Sequence, residues 1–263
     1  KMYSIVLLIN IVSTIPDDFV NLYRQFIQGQ TILNGVLAAV IILAVILLTV
    51  IFVIVLQGGE RRIPVQYAKK VQGRKMVGGQ STNIPLKVNT SGVIPVIFAS
   101  SLMSFPGVIA ALAGYTGGDS IGAHILTGLS QSSWCNPDQP IYSLGLLLYI
   151  ILVVFFAYFY TSITFNPIEI SNNMKRQGGF IPGIRPGKPT TEYLSKILNY
   201  IVFVGAVGLI IVCIIPIFFS GMFGANVSFG GTSIIIIVGV ILETLKQIES
   251  QMLVRYYKGF LND

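Results

Sequence analysis

Charge is what this sequence has least of: 10% of its 263 residues are Asp, Glu, Lys or Arg, against roughly 25% in soluble domains. A chain so poor in charge cannot cover a water-facing surface in the ordinary way, and a bilayer is the solvent that suits its 53% apolar residues. Histidine occurs once, at His124, so there is no histidine cluster for a metal. Cysteine occurs twice; Cys213 sits inside an apolar run, and with Cys135 it makes neither a metal or redox pattern nor a disulfide framework. Paired carboxylates, a nucleophile beside a base and a glycine-rich phosphate cradle are missing as well. The sequence reads as non-enzymatic, with no cofactor and no metal.

Long apolar runs are what it has in abundance. Four of them, about Asn34–Gln57, Gly92–Ala113, Ile141–Phe165 and Ile197–Met222, contain no charged residue. Each approaches or exceeds the ~20 residues a helix needs to cross the hydrocarbon core. Two shorter candidates flank them. Met2–Ile15 reads as a helix cut short by the start of the chain. Ser233–Leu242 continues as an amphipathic helix through Glu243, Lys246 and Glu249. A helix satisfies its own backbone groups in lipid, whereas the polar–apolar alternation of a β-barrel is absent. The predicted fold class is therefore an all-α integral membrane protein, a polytopic bundle of about six transmembrane helices.

The missing intramembrane charge also bears on function. Ion-coupled transporters and intramembrane metalloproteases mark their pathway with ionisable groups, and the four clear spans have none. That argues against both classes. In the span Gly92–Ala113, Pro95 and Pro106 remove backbone donors, and Ser100, Ser101 and Ser104 add hydroxyls. Such a helix either packs through small residues or lines a cavity, and the pattern fits both.

The basic residues set the orientation. Seven lie in Gly58–Thr90 (Arg61, Arg62, Lys69, Lys70, Arg74, Lys75 and Lys87) and five in Asn166–Lys196 (Lys175, Arg176, Arg185, Lys188 and Lys196). Lys246, Arg255 and Lys258 follow in the tail, Lys1 falls on the same side, and the opposite side holds only Arg24. Both long connections and the C-terminus are expected in the cytoplasm, with Tyr115–Pro140 facing out and Trp134 as an interfacial anchor. The organisation read from this is 1–57, two membrane helices; 58–90, a basic connection; 91–165, two helices joined by 114–140; 166–196, a second basic connection; 197–250, two helices; and 251–263, a tail.

The two connections differ in character. Strand-like pieces at Arg62–Tyr67 and Gln80–Pro85 flank a glycine- and lysine-rich turn at Gln72–Gly79, which predicts a projecting β-hairpin. Its tip residues Arg74 and Lys75 suit anionic lipid, an acidic protein face or RNA phosphates. Asn172–Thr190 mixes Gly and Pro with cations and holds Arg185 between Ile184 and Pro186 on a stiff backbone. Arginine suits bidentate contact with carboxylate or phosphate, so this connection reads as a docking element.

Five segments together, E-R-R-I-P-V-Q-Y-A-K-K, Q-S-T-N-I-P-L-K-V-N, G-V-I-P-V-I-F-A-S-S, F-I-P-G-I-R-P-G-K-P-T and F-G-G-T-S-I-I-I-I-V-G-V, resemble the bacterial SecY family, in order and over nearly the whole chain. The family has ten membrane helices, and this chain looks like the fifth to the tenth, without the first four and the plug. The resemblance implies a passive conduit in the bacterial plasma membrane that passes unfolded secretory preproteins and releases membrane segments sideways into lipid. It implies driving partners, the SecA motor ATPase or a ribosome, docking at Arg74, Lys75, Arg185 and Lys188. It further implies SecE-like and SecG-like small subunits and the N-terminal half of the same protein. Leu7, Ile11, Ile97 and Ile236 match pore-ring positions, and Asn89 and Ser101 fall on the helix at one side of the lateral gate. A secondary transporter for a small solute is the rival reading, and it predicts a polar binding site on broken helices.

Overall fold

The computed structural model describes residues 2–28, 32–68, 70–72, 75–77, 81–114, 121–135, 137–138, 140–223 and 231–258. Six long helices, built largely on apolar stretches, stand among these residues: α1 (Met2–Leu22), α2 (Ile32–Gly58), α3 (Ile94–Leu112), α5 (Leu144–Thr164), α7 (Lys188–Phe223) and α8 (Gly231–Lys258). Two short helices, α4 (Ile121–Leu129) and α6 (Pro167–Arg176), lie in the connections. Among the described residues, four segments are long and apolar enough to cross a membrane: Gly35–Gly58, Ile94–Leu112, Pro140–Arg176 and Lys188–Phe219. The protein is a multi-pass helical membrane protein.

Helix α7 is the spine. It packs against α5, α8 and α2, while α3 lies on α5 and α1 on α8. Val53 of α2, Val96 of α3, Val153 of α5 and Leu209 and Val212 of α7 meet in one core and are fully buried. The outward faces of the same helices stay apolar, as lipid contact requires.

At one end of the bundle the two basic connections build a single subdomain. Strand β1 (Glu60–Tyr67) pairs antiparallel with β4 (Ser81–Lys87), with Arg62 opposite Pro85 and Val65 opposite Thr82. Its other edge pairs with β5 (Gly179–Phe180) from the second connection, giving the order β4-β1-β5. Alternation along β1 turns Ile63 and Val65 inward. There they meet Leu86, Met174 of α6, Ile181 and the first turns of α7 at Leu194 and Ile197. This second core fastens the sheet to the spine.

The elements depart from the sequence expectations in four places. Helix α1 runs through Pro16 to Leu22, well past Ile15. The turn expected at Gln72–Gly79 includes a second ladder, β2 (Lys70–Gln72) against β3 (Lys75–Val77). Helix α7 starts at Lys188, nine residues before the apolar run, because Lys-Pro-Thr-Thr-Glu-Tyr-Leu-Ser-Lys is a good polar helix start that hydropathy does not register. Helix α6 was not expected within Asn166–Lys196. Its start is nonetheless written plainly: the Asn166 side chain accepts from the amides of Ile168 and Glu169, Pro167 takes the first position, and Lys175 and Arg176 close the last turn.

Trp134 corrects the expectation of an interfacial anchor, because it is fully buried. Its Nε1 donates to the Gly128 carbonyl at 2.8 Å, and its ring lies 5.4 Å from that of Tyr149. Gly145 makes the room, since a Cβ there would run into the Gly128 carbonyl oxygen and the indole. Cys135 takes a left-handed φ of 59° directly after the tryptophan, which costs about 1–2 kcal/mol. The connection is bent to put Trp134 where it is. Trp134→Phe keeps the ring packing and leaves the Gly128 carbonyl unpaired, so a stability loss of ~1–3 kcal/mol is expected in denaturant unfolding of the detergent-solubilised protein. Wild-type stability of the variant would show that the hydrogen bond is dispensable.

Candidate functional site

Two surfaces gather the residues singled out in the sequence, and one short connector joins them. The first is the sheet subdomain. Arg61, Lys87, Lys175, Arg176, Arg185 and Lys188 are all exposed on it. Arg62 is engaged locally: its Nη2 lies 2.7 Å and its Nε 2.8 Å from Oε1 of Glu60. That hydrogen bond, ahead of the charges of Arg62, Lys246 and Lys87, holds the Glu60 carboxyl below the usual carboxylate range.

Arg185 sits on a braced turn. The Ile184 amide donates to the Ile181 carbonyl at 3.0 Å. Thr190 Oγ1 donates to the Arg185 carbonyl at 2.9 Å, and Ser171 Oγ of α6 donates to the Gly187 carbonyl at 2.9 Å. Gly183 and Gly187 hold φ values of 85° and 105°, which a side chain would resist. Backbone freedom at Arg185 is thus removed from both sides, while the guanidinium stays in solvent. Lys188 begins α7 three residues later. Arg74 lies outside the described residues, and Lys75 is described only as the first residue of β3.

The second surface is one face of α3. Ile97, Ser101, Ser104 and Val108, spaced at helical intervals, are all exposed. Val96, Ala99 and Met103, on the other side, are buried against α5. The Ser101 hydroxyl donates to the Ile97 carbonyl at 2.8 Å and that of Ser104 to the Ser100 carbonyl at 2.9 Å. Both hydroxyls satisfy themselves within the helix, so the face offers a passing group no unpaired donor. Of the other residues the resemblance matches to a pore ring, Ile11 and Ile236 are half-buried on α1 and α8, which pack together. The side chain of Leu7 lies outside the described residues.

Asn89, expected on the helix that bears Ser101, does not stand on that helix, which begins at Ile94. It lies in the turn after β4, 6% exposed, and neither Oδ1 nor Nδ2 has a hydrogen-bond partner among the described residues. The proline and glycine of Gly92–Ala113 delay the helix: Gly92 takes φ 65°, and Pro95 fits the first turn. This turn rests on the spine. A Cβ at Gly205 of α7 would run into the Val88 carbonyl oxygen and come within 3.7 Å of the Asn89 Cα. The Gly205 contact carries no sequence signature, because one glycine among the 27 in the chain looks like any other. The bracing hydroxyls of Ser171 and Thr190 were equally invisible.

A profile of the SecY family matches residues 3–245. The chain is 47% identical over 260 residues to the protein translocase subunit SecY of Streptomyces galbus, covering 98% of this chain and 56% of the relative. It is 42% identical over 266 residues to that of Mycobacterium tuberculosis, again with 98% of this chain covered and 57% of the relative. The chain therefore spans little more than half the length of these relatives. Among solved structures, a SecY studied for its plug domain shares the fold at a TM-score of 0.62 and 18% identity, covering 95% of this chain and 59% of that one. The structure of a protein conducting channel shares it at 0.54 and 20%, covering 89% and 54%. With the profile running through nearly all of its helices and the translocase subunits aligned along 98% of its length, this chain belongs to the SecY family.

Proposed function

We propose that this chain contributes part of a protein-conducting channel that passes unfolded secretory chains across the bacterial plasma membrane and releases membrane segments sideways into lipid. The observation that carries the reading is continuity: strand β4 of the basic subdomain leads through residues 88–93 directly into α3, whose open face bears Ile97. An element that receives a partner is thereby joined to an element that can line a conduit. The sheet subdomain is the docking surface for a motor ATPase of the SecA kind or for a ribosome, through Arg185 and Lys188 and through Arg74 and Lys75 of the sequence between β1 and β4. Its basic residues favour a cytoplasmic position for it and for the C-terminus.

Leu7, Ile11, Ile97 and Ile236 form the apolar constriction in this proposal. Branched aliphatic side chains exclude water and ions by dewetting and bind no particular sequence, which suits a conduit for many substrates. Ser101 borders the lateral gate on α3, and Asn89 sits at the base of that helix. The remaining length of the relatives supplies the rest of the conduit, and small subunits of the SecE and SecG kind complete the complex. The secondary-transporter reading finds no support in the family, whose relatives are named as translocase subunits.

The test is a photoreactive residue at Ile97 in the full-length protein, with a secretory chain stalled in transit. A crosslink to the stalled chain, lost when the chain is released, is expected. Crosslinks to lipid or neighbouring helices alone, while export proceeds, would remove Ile97 from the conduit.

A further inference from the structure

The end of the bundle opposite the sheet is where the connection 113–143 joins α3 to α5. In the sequence Tyr115–Pro140 of this segment reads as an outer loop. Its surface is at odds with that. The four most exposed large apolar side chains among the described residues lie in it or at the helix ends that flank it: Leu112 at 84%, Ile121 at 80%, Ile141 at 76% and Leu144 at 68%. Ile125, one helical turn from Ile121 on the same face of α4, is 58% exposed. No Lys or Arg occurs anywhere between Lys87 and Lys175, so the connection itself carries no Lys or Arg. A water-facing apolar patch of this kind marks an interaction surface.

The connection is also held down into the bundle rather than standing clear of it. Gln131 Nε2 donates to Ser100 Oγ at 3.4 Å, and Ser100 lies roughly three turns, or about 18 Å, inward of Leu112 along α3. The 3₁₀ turn Gln131–Ser133 packs against α7, and Trp134 is fully buried against Tyr149 of α5. His124 Nδ1 and the Tyr142 hydroxyl, 2.8 Å apart, tie α4 to the start of α5. The segment after α4 therefore reaches a depth that belongs to the membrane spans. Ile141 and Leu144 lead without a break into the exposed apolar stripe of α5 at Leu148 and Ile151, a surface of the kind that lipid contact suits.

We infer that α4 lies in the membrane interface with Ile121 and Ile125 among the acyl chains, so that the α3–α5 connection is a lipid-contacting element of the bundle. The occupant is the bilayer because the patch continues the exposed apolar stripe of α5, a helix long and apolar enough to cross a membrane. Amphipathic helices that lie in the plane of the interface bury one apolar face in this way. The single buried Trp134 then acts as the peg that fixes how deep the element sits.

The experiment uses the full-length protein in phosphatidylcholine–phosphatidylglycerol vesicles, with Cys135 and Cys213 replaced and a nitroxide placed in turn at Ile121→Cys, Ile125→Cys and Lys175→Cys. Collision rates are read with oxygen, which partitions into lipid, and with a water-soluble nickel chelate. The oxygen-to-nickel ratio at Ile121 and Ile125 is expected to be several-fold above that at Lys175 on the sheet subdomain. Nickel access at both positions equal to that at Lys175 would overturn the inference by placing α4 in water. Shielding from both reagents would overturn it by placing α4 under protein. A photoreactive side chain at Ile125, with both native cysteines kept, makes the same distinction without touching the core: a lipid adduct supports the inference, and a protein adduct overturns it.

Discussion

Arg185→Glu is expected to lower motor-driven export at least ~10-fold, a change of about 1.4 kcal/mol or more in the binding step. The arginine is exposed, but its backbone is fixed by Thr190, Ser171 and the left-handed Gly183 and Gly187. A preorganised cation loses little entropy when an acidic partner surface closes on it. Reversing the charge puts like charges face to face, which costs several kcal/mol where the pair is dehydrated and less where water remains. The measurement is ATP-driven import of a secretory precursor into vesicles, together with motor affinity across a salt series. The loss should shrink as salt rises, because screening weakens the repulsion and the native attraction together. Lys188→Ala, which removes one flexible cation without reversing it, should cost less. Unchanged affinity and import in Arg185→Glu would dismiss the braced turn as a dock.

The contrast between what was and was not legible follows from which forces write themselves into local sequence. Apolar runs report lipid contact directly, so α2, α3 and α5 lie within a few residues of the stretches at Asn34–Gln57, Gly92–Ala113 and Ile141–Phe165. The alternation around Ile63 and Val65 likewise marks a strand with one buried face. Polar helix is harder, because hydropathy is silent about Lys188–Lys196, and only capping chemistry gives α6 away at Asn166-Pro167. Long-range contacts leave no local trace at all. Nothing near Phe180 announces that it pairs with Gln66, more than a hundred positions away, and so merges two basic connections into one subdomain. Trp134 shows the same limit from the other side: a lone tryptophan between membrane spans suggests an interface, whereas Gly128 and Gly145 provide a buried slot for it. Of the candidate site, the residues on α3 and the second connection were legible. What joins them was not.

Gly205→Val should be the most damaging single change at that join, with a stability loss of ~3 kcal/mol or more. The atoms in the way are backbone on both sides: the Val88 carbonyl oxygen faces the position of the new Cβ, with the Val88 carbonyl carbon 3.2 Å from it. Val88 cannot simply step aside, because its amide donates to the Gly59 carbonyl at 2.9 Å and the Gly59 amide donates to Val55 of α2 at 2.9 Å. Relief therefore requires α7 to move from the core, or the turn at Asn89 to lift and carry the start of α3 with it. The buried side-chain amide of Asn89, without a hydrogen-bond partner among the described residues, makes the second route the softer one, since that side chain does nothing to hold the turn down. Gly205→Ala should cost less and, if the turn yields, shift Ile97 while the protein stays folded. Denaturant unfolding of both variants, read beside export and resting ion conductance, separates the two routes. A folded Ala variant with altered conductance would mean that contact at Gly205 sets the position of α3. Wild-type stability of the Val variant would mean that Val88 does not rest on the spine at all, and the proposed path from dock to conduit would lose its fixed point.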